Sequence, residues 1–188
     1  MTPPTRPVLV VVDVQNGFVR DASRHVVPVI ADPVDRWQAA GLDVVFTRYF
    51  NSPGSQFERL FGWTGLHGPP ETDIVSELAV QARAATAVID KDIYSLFTSH
   101  GRELVRSHGW TDLYVCGIAT ESCVLKTAAD AFEQGDLTPW IIEDASASHA
   151  GPAAHDAGIA VAARFIGPNQ IIRIADLPAH VRPPQRAA

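Results

Sequence analysis

Three reactive side chains stand where apolar runs of this chain stop. Asp13 follows PVLVVV, Lys91 closes ATAVIDK, and Cys123 comes just after DLYVCGI, in the stretch Ala119-Thr120-Glu121-Ser122-Cys123. A carboxylate or ammonium at the end of a buried strand is costly unless paired, so Asp13 and Lys91 are expected to find partners, each other among them. A structural ion pair, a turn cap at Asp13 and a Lys91 that snorkels to water all fit the same positions. Cys123 says more. Thr120 is expected to cap a helix, which puts Cys123 in its first turn, where free N–H groups and the helix dipole favour an anion and lower a thiol pKa. With a cation and a carboxylate nearby, such a thiol is equipped as a nucleophile. Cys116, inside an apolar strand, reads instead as a small buried side chain.

The spacing rules out two other cysteine chemistries. A phosphatase cradle needs an arginine six residues after the thiol, where this chain has Ala129, and a redox pair needs CxxC, whereas the two cysteines are seven positions apart. Seven histidines leave a cysteine–histidine protease open by count. None of them falls at a strand end, and His67, His149 and His155, the nearest, read as surface residues.

The elements that must hold these groups follow from alternation. Short β-branched apolar runs at 7–14, 42–50, 85–91, 112–118, 137–144 and 169–174 predict six strands. Stretches with apolar residues three and four apart predict helices at 28–40, 73–83, 99–108, 121–134 and 152–165. In the helix after Cys123, Val124, Leu125, Ala128 and Phe132 form the expected docking stripe, with Lys126, Asp130 and Glu133 facing water. The pattern predicts a single-domain, three-layer α/β/α fold: a doubly wound, Rossmann-like sheet of six parallel strands whose ligands bind beyond the strands' carboxyl ends. Residues 1–6 and 180–188 are expected to be flexible, and 51–70 to form a long functional loop.

Composition narrows the partners. With 188 residues, 46% of them hydrophobic, the chain supports one sizeable core, and a net charge of −6 from 15 basic and 21 acidic residues argues against nucleic-acid or anionic-membrane binding. Two cysteines, no leader-like start and no apolar run of membrane-spanning length predict a cytoplasmic location.

The segments LVVVDVQNGFV, VIDKDIYSLF and CGIATESCVLKTAADAF together resemble the signatures of the isochorismatase-like cysteine hydrolases, a superfamily with nicotinamidase, N-carbamoylsarcosine amidohydrolase and isochorismatase branches. The resemblance runs from residue 7 to about 177. It implies a catalytic Asp13-Lys91-Cys123 triad, a cis Ile118–Ala119 peptide, and an oxyanion hole formed by the N–H groups of Ala119 and Cys123. It further implies hydrolysis of a C–N bond in a small amide or ureido compound through a thioester, in a dimer or larger homo-oligomer. Vinyl-ether hydrolysis, in which the cysteine is not the nucleophile, and a non-catalytic partner-binding role are the alternatives.

One departure from the family stands out. Metal-binding nicotinamidases carry an Asp-x-His segment after the second strand and a later histidine. Here that region reads FTRYFNSPGSQFERLFGW, with Glu58 and no local histidine, so no catalytic metal and no organic cofactor are expected. The loop is aromatic instead, which suits a pocket wall or a partner surface. Gln15, Phe18, Tyr49, Asn51, Trp63, Tyr94 and Phe97 are the expected pocket residues, while Arg48 fits a salt bridge better than a substrate contact.

Overall fold

Alternate residues of Pro7–Val12 (β1) feed two separate cores. Val8, Val10 and Val12 pack on one side of the sheet, and Leu9 and Val11 on the other. A strand apolar on both faces can only be central, and its parallel neighbours Asp43–Tyr49 (β2) and Asp112–Ile118 (β4) flank it. The computed structural model describes residues 5–178. With Ala87–Lys91 (β3), Thr138–Ala147 (β5) and Ile171–Ile172 (β6), the strands form one six-stranded, all-parallel sheet in the order β3-β2-β1-β4-β5-β6. Chain direction across the sheet reverses between β1 and β4, which opens a crevice beyond their carboxyl ends.

Helices cover both faces. Val26–Ala39 (α1) packs Ile30, Val34 and Trp37 onto the face shared by Leu9 and Val11. Ser99–His108 (α4), Leu125–Glu133 (α5) and Pro152–Ile166 (α6) cover the opposite face through Val105, Ala128, Ala131, Ala162 and Ile166. The bounds of α4 follow from its ends. The Thr98 hydroxyl accepts from the Gly101 N–H at 3.0 Å, and Gly109 closes the helix in the left-handed region at φ 62°.

Tertiary contacts override the sequence pattern in several places. The helix expected over 73–83 is reduced to a 3₁₀ turn, Ser76–Leu78, and the short helix Ala79–Arg83 (α3). Asp73–Val75 instead pair with the backbone of residues 14–16, through Asn16 N–H to Asp73 O and Val75 N–H to Val14 O. The long loop holds a helix of its own, Gln56–Phe61 (α2), capped by the Ser55 hydroxyl. In α5, Phe132 is 54% exposed, not docked. The buried face of this helix is Thr127, Ala128 and Ala131, and the Thr127 hydroxyl accepts from Leu96 N–H. Arg6, expected in a loose end, is held by its N–H to the Thr111 hydroxyl and its guanidinium to the His108 carbonyl. The expected flexibility at 1–4 and 180–188 falls outside the described residues. Among the described residues no helix is long and apolar enough to cross a membrane.

Candidate active site

Asp13, Lys91 and Cys123 converge at the crevice. Asp13 is the first residue past β1 and turns into the left-handed region at φ 49°, a conformation a non-glycine residue adopts at a cost. The turn aims its fully buried carboxylate under the sheet edge. There Oδ2 accepts from Lys91 Nζ at 2.6 Å and Oδ1 from the Thr47 hydroxyl at 2.6 Å. The same hydroxyl accepts from Asp13 N–H. Sequence reasoning overlooked Thr47; the signal was a lone hydroxyl in the apolar run of β2.

Lys91 ends β3 with its side chain fully buried. Its ammonium has three protons, and three short contacts use them: Asp13 Oδ2, Ile93 O at 3.0 Å and Tyr94 O at 3.0 Å. The contact with Cys123 Sγ at 3.7 Å is therefore chiefly electrostatic. Burial alone would lower the pKa of this ammonium, but the Asp13 carboxylate beside it outweighs that effect and the value is raised, so Lys91 stays charged. Its Nζ also lies 5.5 Å from the Tyr49 ring centroid, over the ring.

Cys123 sits in a π-type turn, Thr120–Val124, in which Val124 N–H reaches Ala119 O five residues back at 3.2 Å. Two expectations fail here. Thr120 caps nothing: its hydroxyl lies 2.8 Å from His155 Nδ1 of α6, and Ala119 takes the cap position without a side-chain bond. The thiol pKa is raised, not lowered, because burial and the nearby Asp13 charge outweigh the pull of Lys91. The resting group is the neutral thiol.

Close backbone contacts fix this turn. The Ile118–Ala119 peptide is cis. Gly117, at φ 120°, lets β4 press on β1: a Cβ there would meet Val12 O at 2.2 Å. Gly158 of α6 lies against Glu121, whose backbone nitrogen and Cα would be 2.8 Å from an added Cβ. Glu121 Oε1 in turn accepts from the Ser148 hydroxyl at 2.7 Å.

Cys123 lines a cavity of about 280 Å³. Ala119, Ser122 and Cys123 line it, and Phe18, Tyr49, Phe57, Phe61, Trp63 and Tyr94 form an aromatic wall, with Gly17, Arg20 and His149 completing the lining. Phe18 stacks on Trp63 at 5.9 Å and on His149 at 5.7 Å between centroids, and Tyr94 meets Phe57 edge-on at 5.2 Å.

Of the expected pocket residues, Phe18, Tyr49, Trp63 and Tyr94 face this cavity, and three do not. Gln15 is fully buried, its amide bonded to the backbone of Tyr49 and Thr72, so it ties β1 to the loop. Asn51 bonds Trp63 O, Ser52 N–H and the Ser55 hydroxyl and so shapes the aromatic loop from behind. Phe97 packs in the core below α4 and α5, 2% exposed.

His149 is exposed, as expected, and also lines the cavity; β5 runs three residues past its predicted end before it, after a register shift opposite Val115 and Gly117. Glu58 does meet a histidine, His67, at 3.0 Å. Among the described residues no group of three or more His, Cys, Asp or Glu side chains converges as a metal site. Arg48 forms the expected salt bridge, with Asp90 at 2.7 Å.

A crevice at the switch of a parallel sheet, with a thiol, a carboxylate and an ammonium gathered in it, defines a class of α/β enzyme scaffold. Residues 7–170 match the Isochorismatase domain model, and the chain belongs to the isochorismatase family. It is 26% identical to nicotinamidase 3 of Arabidopsis thaliana over 68% of this chain and 66% of that protein. It is 35% identical to a streptothricin hydrolase of Streptomyces noursei over 82% of this chain and 62% of that one. The matches thus span about two thirds or less of these relatives' lengths. Among solved structures, N-carbamoylsarcosine amidase from Thermoplasma acidophilum superposes with a TM-score of 0.76 at 25% identity, over 93% of this chain and 99% of that chain.

Proposed function

We propose that this protein is a cysteine-dependent amidohydrolase that cleaves a C–N bond of a small amide or ureido compound through a covalent thioester. The observation that carries this reading is the placement of Lys91 Nζ, 2.6 Å from Asp13 Oδ2 and 3.7 Å from Sγ of Cys123, a residue of the cavity lining. A raised thiol pKa calls for a base at the moment of attack. In this mechanism Asp13 takes the thiol proton as Sγ bonds to the substrate carbonyl carbon, and Lys91 holds the two negative centres together. The N–H groups of Ala119 and Cys123, both residues of the cavity lining, receive the oxyanion.

Collapse of the tetrahedral intermediate breaks the C–N bond, and Asp13 passes its proton to the leaving nitrogen. A water then gives a proton to Asp13 and attacks the thioester. Release of the acid returns that proton to sulfur, closing the cycle with no net change in the enzyme. Nucleophile, base and oxyanion donors all come from the chain, so the reading calls for no cofactor. The similarity to nicotinamidase 3 and N-carbamoylsarcosine amidase supports C–N hydrolysis. The exposed Leu60 and Phe61 beside the cavity support a homo-oligomer.

Intact-mass spectrometry of wild type and Cys123→Ser, incubated with small amides and ureido acids while ammonia is assayed, tests the mechanism. We expect an acyl adduct on the wild type, and turnover at least about 10³-fold lower in the variant. Turnover that survives the substitution overturns the nucleophile and brings vinyl-ether hydrolysis forward.

A further inference from the structure

We propose that the substrate carries an anionic group on the side away from its scissile carbonyl, on a flat apolar body, and that Arg20 holds this group. The inference rests on the amidohydrolase reading and adds its substrate class. The cavity lining contains one guanidinium, from Arg20, and no carboxylate. Asp13, the nearest buried acid, is already matched by Lys91. Among the described residues no carboxylate pairs with Arg20, and of the arginines without an acid partner it is the one that lines the cavity.

The backbone at Arg20 is tied down, while its side chain is exposed. The fully buried Ser23 hydroxyl accepts from Arg20 N–H at 2.9 Å and contacts Phe18 O at 3.1 Å, while Ser23 N–H donates to Arg20 O at 2.9 Å. One clamp therefore holds the backbone of both Phe18, whose ring stacks within 21° of parallel on Trp63 and on His149, and Arg20 two residues on. Flat rings favour a flat ligand. A guanidinium beside an apolar wall favours a carboxylate, which it can hold with two parallel hydrogen bonds. Cysteine at one part of the lining and arginine at another then orient the molecule, amide toward sulfur and anion toward Arg20. The volume, about 280 Å³, suits a single substituted ring and not a polymer.

Equilibrium binding to the otherwise intact Cys123→Ala protein separates this proposal from the chemistry. The probes are 3- and 4-carbamoylbenzoate against neutral benzamide, titrated by calorimetry. We expect at least one carboxylate to bind at least about tenfold more tightly than benzamide, and Arg20→Gln to remove that preference while leaving benzamide within about twofold. Equal binding of the neutral and charged amides, a preference that survives Arg20→Gln, or no binding of either carboxylate overturns it. Because no turnover is read, an anion preference that holds while Cys123→Ser remains active would sink the nucleophile and leave the anion site standing.

Discussion

Cys116 and Cys123 are equally hidden, at 0% and 6% exposure, and their surroundings could hardly differ more. Cys116 lies opposite Val11 in β1, within an apolar cluster, and burial alone pushes its thiol pKa up. Cys123 feels the same push, but a carboxylate and an ammonium stand beside it and one side of its residue faces the cavity. Depth therefore silences a thiol without distinguishing it. The neighbours decide whether a base is at hand when the sulfur must lose its proton.

The comparison breaks most sharply at Lys91. Lys91→Met brings Cys123 closer to the apolar setting of Cys116 and leaves the Asp13 carboxylate buried without its partner. We expect a loss of about 3–5 kcal/mol in urea unfolding, and a change below about 1 kcal/mol would refute a tightly coupled pair. Thr47→Val is gentler, since it leaves the Lys91 pair intact and removes the donor to Asp13 Oδ1 and the acceptor for Asp13 N–H. A loss of about 1–3 kcal/mol is expected from unfolding curves, with kcat/KM about tenfold lower as the base loses its orientation. Unchanged kinetics would make Thr47 a purely structural support.

The smallest effect belongs to Cys116 itself. Its folded-state pKa is raised, so the folded protein holds the thiol proton more tightly than the unfolded chain, whose thiol ionises near about 8.5. This contribution is complete below about pH 8.5 and falls as pH climbs toward the folded-state value, by up to ~1.4 kcal/mol per pH unit. Cys116→Ala should flatten the stability profile between about pH 8.5 and 10 by that slope, measured by denaturation at several pH values. An identical slope in both proteins would deny that burial governs this thiol.

Much of the scaffold was legible because buried parallel strands announce themselves as continuous apolar runs, as in PVLVVV, and because apolar residues three and four apart mark helices such as 99–108. Segment 73–78 was not legible, since its partner lies some sixty residues away at Gln15, and no local pattern encodes that pairing. The positions of Asp13, Lys91 and Cys123 at strand ends could be read, yet the direction of the thiol's shift could not: a first-turn position promises a lowered pKa, and only the packed structure shows that desolvation dominates. His149 could be read as a surface residue but its place on the cavity could not, because the extension of β5 is written in small residues, Ala145, Ser146 and Ala147, that carry no strand signal. Phe97 and Tyr94 looked alike in sequence and diverge in the fold, one into the core and one to the cavity.

The approach of α6 to the turn that carries Cys123 has an evolutionary consequence. Gly158 makes no bond with a reactive group, yet a single methyl group there would press on the backbone of Glu121, two residues before the sulfur. Selection for the reaction would thus hold a glycine fixed on a distant helix, and a record of tolerated substitutions would rank that hydrogen atom beside the thiol.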